Sequence, residues 1–210
     1  MRAFKSILIL FLLSFLAFAQ GQWAIVGHTP EVGGYGEAVL GLENSFLIVG
    51  QASTELKADV WLYSVQDGNV TLHRSLPPPP EHLKSGTALA YANGNIYVLI
   101  GGAYTDCNRT KFLRFSLEDY SWNYLAETPY PQGAGDALVY AEVEGKPYLY
   151  ALLGASTKQR RCAISGFARY DLTTGEWSKP GELPKPWPCT DDGAALAWDG
   201  GNYIYALHGS

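Results

Sequence analysis

The sequence predicts an all-β fold assembled from a tandem repeat of short strands, and three observations carry that prediction. An apolar segment ending in small residues recurs four times, as SFLIVGQ from Ser45, IYVLIGG from Ile96, LYALLGA from Leu149 and IYALHGS from Ile204. Each copy follows a second short apolar segment that opens on a glycine, and these glycines, Gly36, Gly86, Gly135 and Gly193, stand 50, 49 and 58 residues apart. Beyond each copy, aromatic residues and prolines return at steady offsets. Trp122 and Trp177 stand seven residues after Phe115 and Tyr170, and Pro129 and Pro184 stand seven residues after the tryptophans. Self-similarity at a period of about 50 residues marks a structure built by stacking one supersecondary unit.

Residues 1–19 come first and read differently from the rest. Arg2 and Lys5 precede an apolar run from Ile7 to Phe18, which ends on Ala17-Phe18-Ala19. That is the pattern of a cleaved secretory signal, and the run is shorter than the roughly 20 apolar residues that cross a bilayer. The expected product is residues 20–210, secreted or periplasmic, without membrane insertion after cleavage. Cleavage removes two basic groups and no acidic one, so the net charge moves from −5 to −7. An acidic chain of this kind is not expected to bind nucleic acid or an anionic membrane, since both are held through basic surfaces.

The repeats follow. Their segments are rich in Val, Ile, Tyr and Trp and are bounded by Gly, Asn, Asp and Pro, the composition of strands joined by turns. Asn93-Gly94-Asn95 and Thr173-Thr174-Gly175 are expected to turn between neighbouring strands, because Gly and Asn tolerate positive φ. The first repeat keeps the spacing from Tyr63 with Val70 in the tryptophan place and Pro77 seven residues later.

With these landmarks the chain resembles the Kelch repeat family, whose period is about 50 residues and whose pattern is an apolar strand pair ending in Gly-Gly, then Tyr-Asp, then Trp. Gly101-Gly102 and Trp122 supply it in the second repeat, Tyr170-Asp171 and Trp177 in the third. Gln51, Ala155 and His208 depart from it, as does the lack of a tryptophan in the first repeat. The resemblance implies a Kelch-type β-propeller with repeats at about 36–85, 86–134 and 135–192 and a partial one at 193–210. That is three complete four-stranded blades plus half a blade. It also implies that residues 23–30, Trp23 to Pro30, are the outer closing strand of the last blade. Because an unpaired strand edge is a template for aggregation, the polypeptide is expected to continue past Ser210 with about two to four further blades, within the range that propellers span.

In a four-stranded meander, the connections from second to third strand and from blade to blade share one end. That end gathers Tyr104 and Cys107 in the second repeat, Arg160, Arg161 and Cys162 in the third, and Glu81, His82, Tyr130, Trp187, Cys189, Asp191 and Asp192 between blades. Just inside each first-strand glycine stand Glu37, Thr87, Asp136 and Ala194, at the expected mouth of the central channel. Convergent polar groups on an apolar scaffold are the usual form of a ligand site. The candidates are therefore Glu37, Thr87, Asp136, Tyr104, Tyr130, Arg160, Arg161, Trp187, Asp191 and Asp192. The three cysteines lack zinc spacing; Cys162 with Cys189 is the candidate disulfide, with Cys107 to Cys162 as the competing pair and free thiols as the third state. Asn69-Val70-Thr71 and Asn108-Arg109-Thr110 match the glycosylation acceptor pattern. The recurring aromatics, among them Trp61, Tyr63, Tyr97, Trp198 and Tyr205, are expected to pack between blades.

Functionally, the expectation is a non-enzymatic binding module for a glycan or protein. The resemblance also admits a carbohydrate-active enzyme of sialic acid mutarotase-like or galactose oxidase-like type, and a structural part of a cell-surface assembly is a third reading. No cofactor or metal is expected: the copper site of galactose oxidase needs a cluster of tyrosines and histidines, and His28, His73, His82 and His208 are scattered. No catalytic residue is assignable.

Overall fold

The computed structural model describes residues 37–51, 58–66, 69–102, 109–154, 165–184 and 193–209. Among them every regular element is a β-strand. The first blade comprises β1 (Ala38–Leu42), β2 (Ser45–Gln51), β3 (Ala58–Gln66) and β4 (Asn69–Leu76). The second comprises β5 (Ala88–Ala92), β6 (Asn95–Leu99), β7 (Phe112–Ser116) and β8 (Trp122–Tyr124). The third comprises β9 (Ala137–Val143), β10 (Lys146–Gly154), β11 (Ser165–Asp171) and β12 (Glu176–Trp177), and a two-strand sheet of β13 (Ala195–Trp198) and β14 (Ile204–Leu207) follows. Within each sheet the strands lie in chain order, all antiparallel. First strands adjoin first strands, β1 against β5, β5 against β9 and β9 against β13. The fold is therefore a propeller of four-stranded blades, as the repeat predicts. The expected secretory signal at residues 1–19 and the expected closing strand at 23–30 lie outside the described residues.

The apolar segments read as continuous runs where a blade is buried on both faces, as the second is. Side chains alternate across a strand. In β6, Ile96 and Val98, with Ile100 just beyond, pack against Leu47 and Val49 of the first blade, while Tyr97 and Leu99 pack against Leu149, Ala151 and Leu153 of the third. A strand lodged between two neighbours has no side left for polar residues. Phe112, Leu149 and Leu99 are wholly buried, and each such side chain contributes about 1.5–3 kcal/mol of transfer free energy.

The seven-residue offset from aromatic to tryptophan is a hairpin register. Phe115 lies opposite Trp122 and Tyr170 opposite Trp177. The indoles reach back across the blade boundary, Trp122 Nε1–H donating to the Pro77 carbonyl at 2.9 Å and Trp177 Nε1–H to the Ala126 carbonyl at 3.0 Å. In the first blade the expected equivalence of Val70 fails. The register set by the Gln66–Asn69 pair at the turn end puts Val70 opposite Val65 and Leu72 opposite Tyr63, and it shifts only beyond Tyr63. The β3–β4 hairpin is longer than its counterparts, so counting seven residues stops short of the structural match.

The turn at Asn93-Gly94 has φ of 50° and 74°, the paired left-handed geometry that two-residue hairpins require. Glu144-Gly145 repeats it at 53° and 73° between β9 and β10. Of the aromatics expected between blades, Trp61, Tyr63, Tyr97, Phe115, Tyr150 and Tyr170 are buried. Tyr205 is 61% exposed, contrary to expectation, because its face of β14 meets no further strand among the described residues.

Candidate functional site

Strand alternation brings the β6–β7 connection and the links between blades to one end of the sheets, and hydrogen bonds tie them together there. Lys84 N–H donates to the Ile100 carbonyl at 2.9 Å and Gly102 N–H to the Ser85 carbonyl at 3.0 Å. Arg109 Nη2 donates to the His82 carbonyl at 2.7 Å. The Gly101-Gly102 doublet is what permits this approach. A Cβ on Gly101, whose φ is +68°, would lie 2.4 Å from the Ser85 carbonyl oxygen, and one on Gly102 would lie 2.4 Å from that of Gln132. Glycine tolerates both the close approach and the left-handed backbone.

The channel-mouth positions are held by this framework. Thr87 is buried and its hydroxyl donates to the Lys84 carbonyl at 2.7 Å. Asp136 is buried, and its two carboxyl oxygens accept separately from Gly133 N–H at 2.9 Å and Gly154 N–H at 3.0 Å. Burial pushes this carboxyl well above the ordinary range, and the two amide donors offset only part of that effect. Both residues join the opening of a first strand to the end of the second strand beside it. Glu37 is exposed at the start of β1. Tyr130 lies half-buried between blades, its ring against Gly166, where a Cβ would come within 2.1 Å. Its hydroxyl accepts from Gly181 N–H at 2.7 Å, so ring and hydroxyl bind two elements of the third blade. Tyr104, Arg160, Arg161, Trp187, Asp191 and Asp192 lie outside the described residues, as do Cys107, Cys162 and Cys189.

Two features at this end are absent from the candidate set. Gln132 is fully buried; its amide oxygen accepts from Ile100 N–H at 2.7 Å and its amide nitrogen donates to the Lys111 carbonyl at 2.8 Å. Counting back three residues from the first-strand glycine places it where the preceding repeat has Leu83, also buried, so the position reads as apolar. Its polar role follows only from the unpaired main-chain groups around it. The second feature is a small ionic cluster between the first two blades. Glu81 accepts from Lys111 Nζ at 2.8 Å and from the Tyr124 hydroxyl at 2.9 Å, and Lys111 Nζ sits 5.1 Å from the centre of the Tyr124 ring. Burial pushes the Glu81 carboxyl up, but Lys111, Tyr124 and Arg109 outweigh it and hold it below its ordinary value. These partners are far apart in sequence and no motif links them. Among the described residues no group of three or more His, Cys, Asp or Glu is placed to hold a metal ion.

No family model matches the sequence. Over 135 residues, 63% of the chain, it is 31% identical to N-acetylneuraminate epimerase of Pasteurella multocida (strain Pm70), of which it covers 33%. The solved structure of YjhT aligns with 84% of this chain and 58% of its own, with a TM-score of 0.58 at 16% identity, a likeness of fold. The chain thus spans about a third of the curated relative and little more than half of the structural neighbour.

Proposed function

We propose that this chain belongs to an exported Kelch-type propeller that recognises an acidic sugar of the N-acetylneuraminate class at the loop end of its blades. The observation that carries the reading is the 31% identity over 135 residues to a protein named N-acetylneuraminate epimerase. The chemistry of the loop end supports it. A sugar carboxylate is bound best by a guanidinium fork, and the segment that follows β10 in the sequence holds Arg160 and Arg161.

Recognition without turnover is the second reading, and one observation favours it. Epimerisation needs a positioned acid and base, whereas the channel-mouth residues Thr87 and Asp136 are engaged by main-chain groups. If the protein turns the sugar over, the proton-transfer groups come from elsewhere.

Saturation-transfer NMR with N-acetylneuraminate and its methyl ester tests the carboxylate assignment. Signal from the free acid that falls in the Arg160→Ala, Arg161→Ala double variant, with little signal from the ester, is the expected result. Equal signal from acid and ester, or no effect of the double variant, rules the assignment out.

A further inference from the structure

The outermost strands of the three four-stranded blades differ in length. β8 has three residues and β12 two, whereas β4 has eight. Among the described residues each pairs on one side only, so each leaves a row of main-chain donors and acceptors free along its outer edge. A long free edge is a template for pairing with another chain, and shortness is one ordinary way of blunting it. β4 lacks that protection. Towards its turn end Asn69, Thr71 and Leu72 are exposed, Leu72 by 44% and Val65 across the hairpin by 39%. Arg74 lies over the Tyr120 ring of the second blade at 4.6 Å and not over this end of the strand.

The same stretch holds a sequence feature that ligand recognition at the loop end does not use. Asn69-Val70-Thr71 is an acceptor tripeptide for N-linked glycosylation, with a residue other than proline in the middle. Two residues apart on a strand, Asn69 and Thr71 stand on one face. Asn69 opens β4 beside the hairpin turn, paired with Gln66, and Thr71 Oγ1 lies 2.9 Å from Ser64 Oγ in an exposed pair. Because strands alternate in direction, this hairpin is at the opposite end of the blade from the loops that bear the candidate ligand residues. A bulky group on Asn69 therefore leaves that end open. The second match, at Asn108, lies outside the described residues.

We propose that Asn69 carries an N-linked oligosaccharide and that this oligosaccharide covers the open edge at the start of β4. Transfer depends on the export proposed above, because the donor, a lipid-diphosphate-linked oligosaccharide, is used outside the cytoplasm. The side-chain amide nitrogen forms a bond to the anomeric carbon, and the bond from that carbon to the diphosphate oxygen breaks. The lipid diphosphate leaves, and one amide proton passes to a base of the transferring enzyme. Thr71 stays unmodified and completes the tripeptide that the enzyme reads. The product is bulky and hydrated, so a second chain is kept from pairing along the edge.

Peptide mapping of the protein recovered from its source, with electron-transfer fragmentation to keep sugars on their side chains, tests the modification. The expected result is an oligosaccharide mass on Asn69 that is lost in Thr71→Ala and retained in Thr71→Ser. The same map reads the N-terminus. A mature chain lacking residues 1–19 with a bare Asn69 overturns the glycosylation and leaves export standing, whereas a chain that retains residues 1–19 with a bare Asn69 overturns both. A mass that persists in Thr71→Ala overturns the N-linked assignment. Sedimentation velocity tests the covering role: Asn69→Gln should form dimers or larger species at a concentration where the glycosylated protein is monomeric, and a variant that stays monomeric overturns that role.

Discussion

Phe112, on the third strand of the second blade, and Trp177, on the fourth strand of the third, meet with ring centroids 5.0 Å apart at 58°. The indole nitrogen at the same time donates to the Ala126 carbonyl of the second blade. One side chain thus supplies both apolar contact and a directional bond across a blade boundary, which fixes how far each blade slides and turns against the next. Because Tyr170 packs 5.2 Å from both rings, the three aromatics form one cluster spanning two strands of one blade and one of its neighbour.

Trp177→Ala should therefore cost about 3 kcal/mol, in the range for deleting a large aromatic. Trp177→Phe, which keeps an aromatic ring but loses the hydrogen bond, should cost about 1 kcal/mol. Urea unfolding midpoints of the two variants would check the ratio; equal losses would show that the hydrogen bond dominates.

A pair of glycines separates conformational from steric cost. Gly94 has φ of +74° and open space where a Cβ would stand, while Gly86 has φ of +81° and the Gly133 carbonyl oxygen 1.9 Å from that point. Gly94→Ala should cost about 1 kcal/mol, the strain of a left-handed alanine. Gly86→Ala should destabilise far more, since backbone of the next blade must shift. Thermal denaturation of the two variants distinguishes them, and similar melting temperatures would contradict the interlock at this end of the blades.

Asp136 gives the fold a pH dependence of definite sign. Its folded-state pKa is raised by burial, so above the ordinary aspartate range the folded chain holds a proton that the unfolded chain has released. Stability then falls as pH rises from about 4, near the unfolded value, through the raised folded value, and below the unfolded value the contribution is fully present. Asp136→Asn should flatten this part of the profile and destabilise most at low pH, by about 1–3 kcal/mol, because an amide nitrogen would face a main-chain N–H, with the difference shrinking as pH rises. Chemical denaturation at several pH values between 4 and 8 measures both effects.

Sequence reading reached the fold because a propeller repeats one packing problem. The run IYVLI records burial on both faces of β6, and the seven-residue step to tryptophan records a hairpin register. It misplaced Val70 because how far a hairpin runs past its aromatic before turning is set by the backbone and leaves no mark on composition. Loop residues were legible as a group, since strand alternation alone decides which connections share an end. Their individual roles were not. Tyr130 holds two elements of the third blade through its ring and hydroxyl, Asp136 anchors two amides, and Gln132 stands where the preceding repeat has leucine; each role depends on main-chain groups brought together by the fold.

Calorimetric titration of N-acetylneuraminate into the protein tests the functional account most directly. Saturable 1:1 binding, weakened at least about 10-fold, or 1.4 kcal/mol, by Arg160→Ala with Arg161→Ala, is the predicted result. An absence of heat with N-acetylneuraminate at millimolar concentration, alongside binding of a neutral glycan or of a protein, would contradict it.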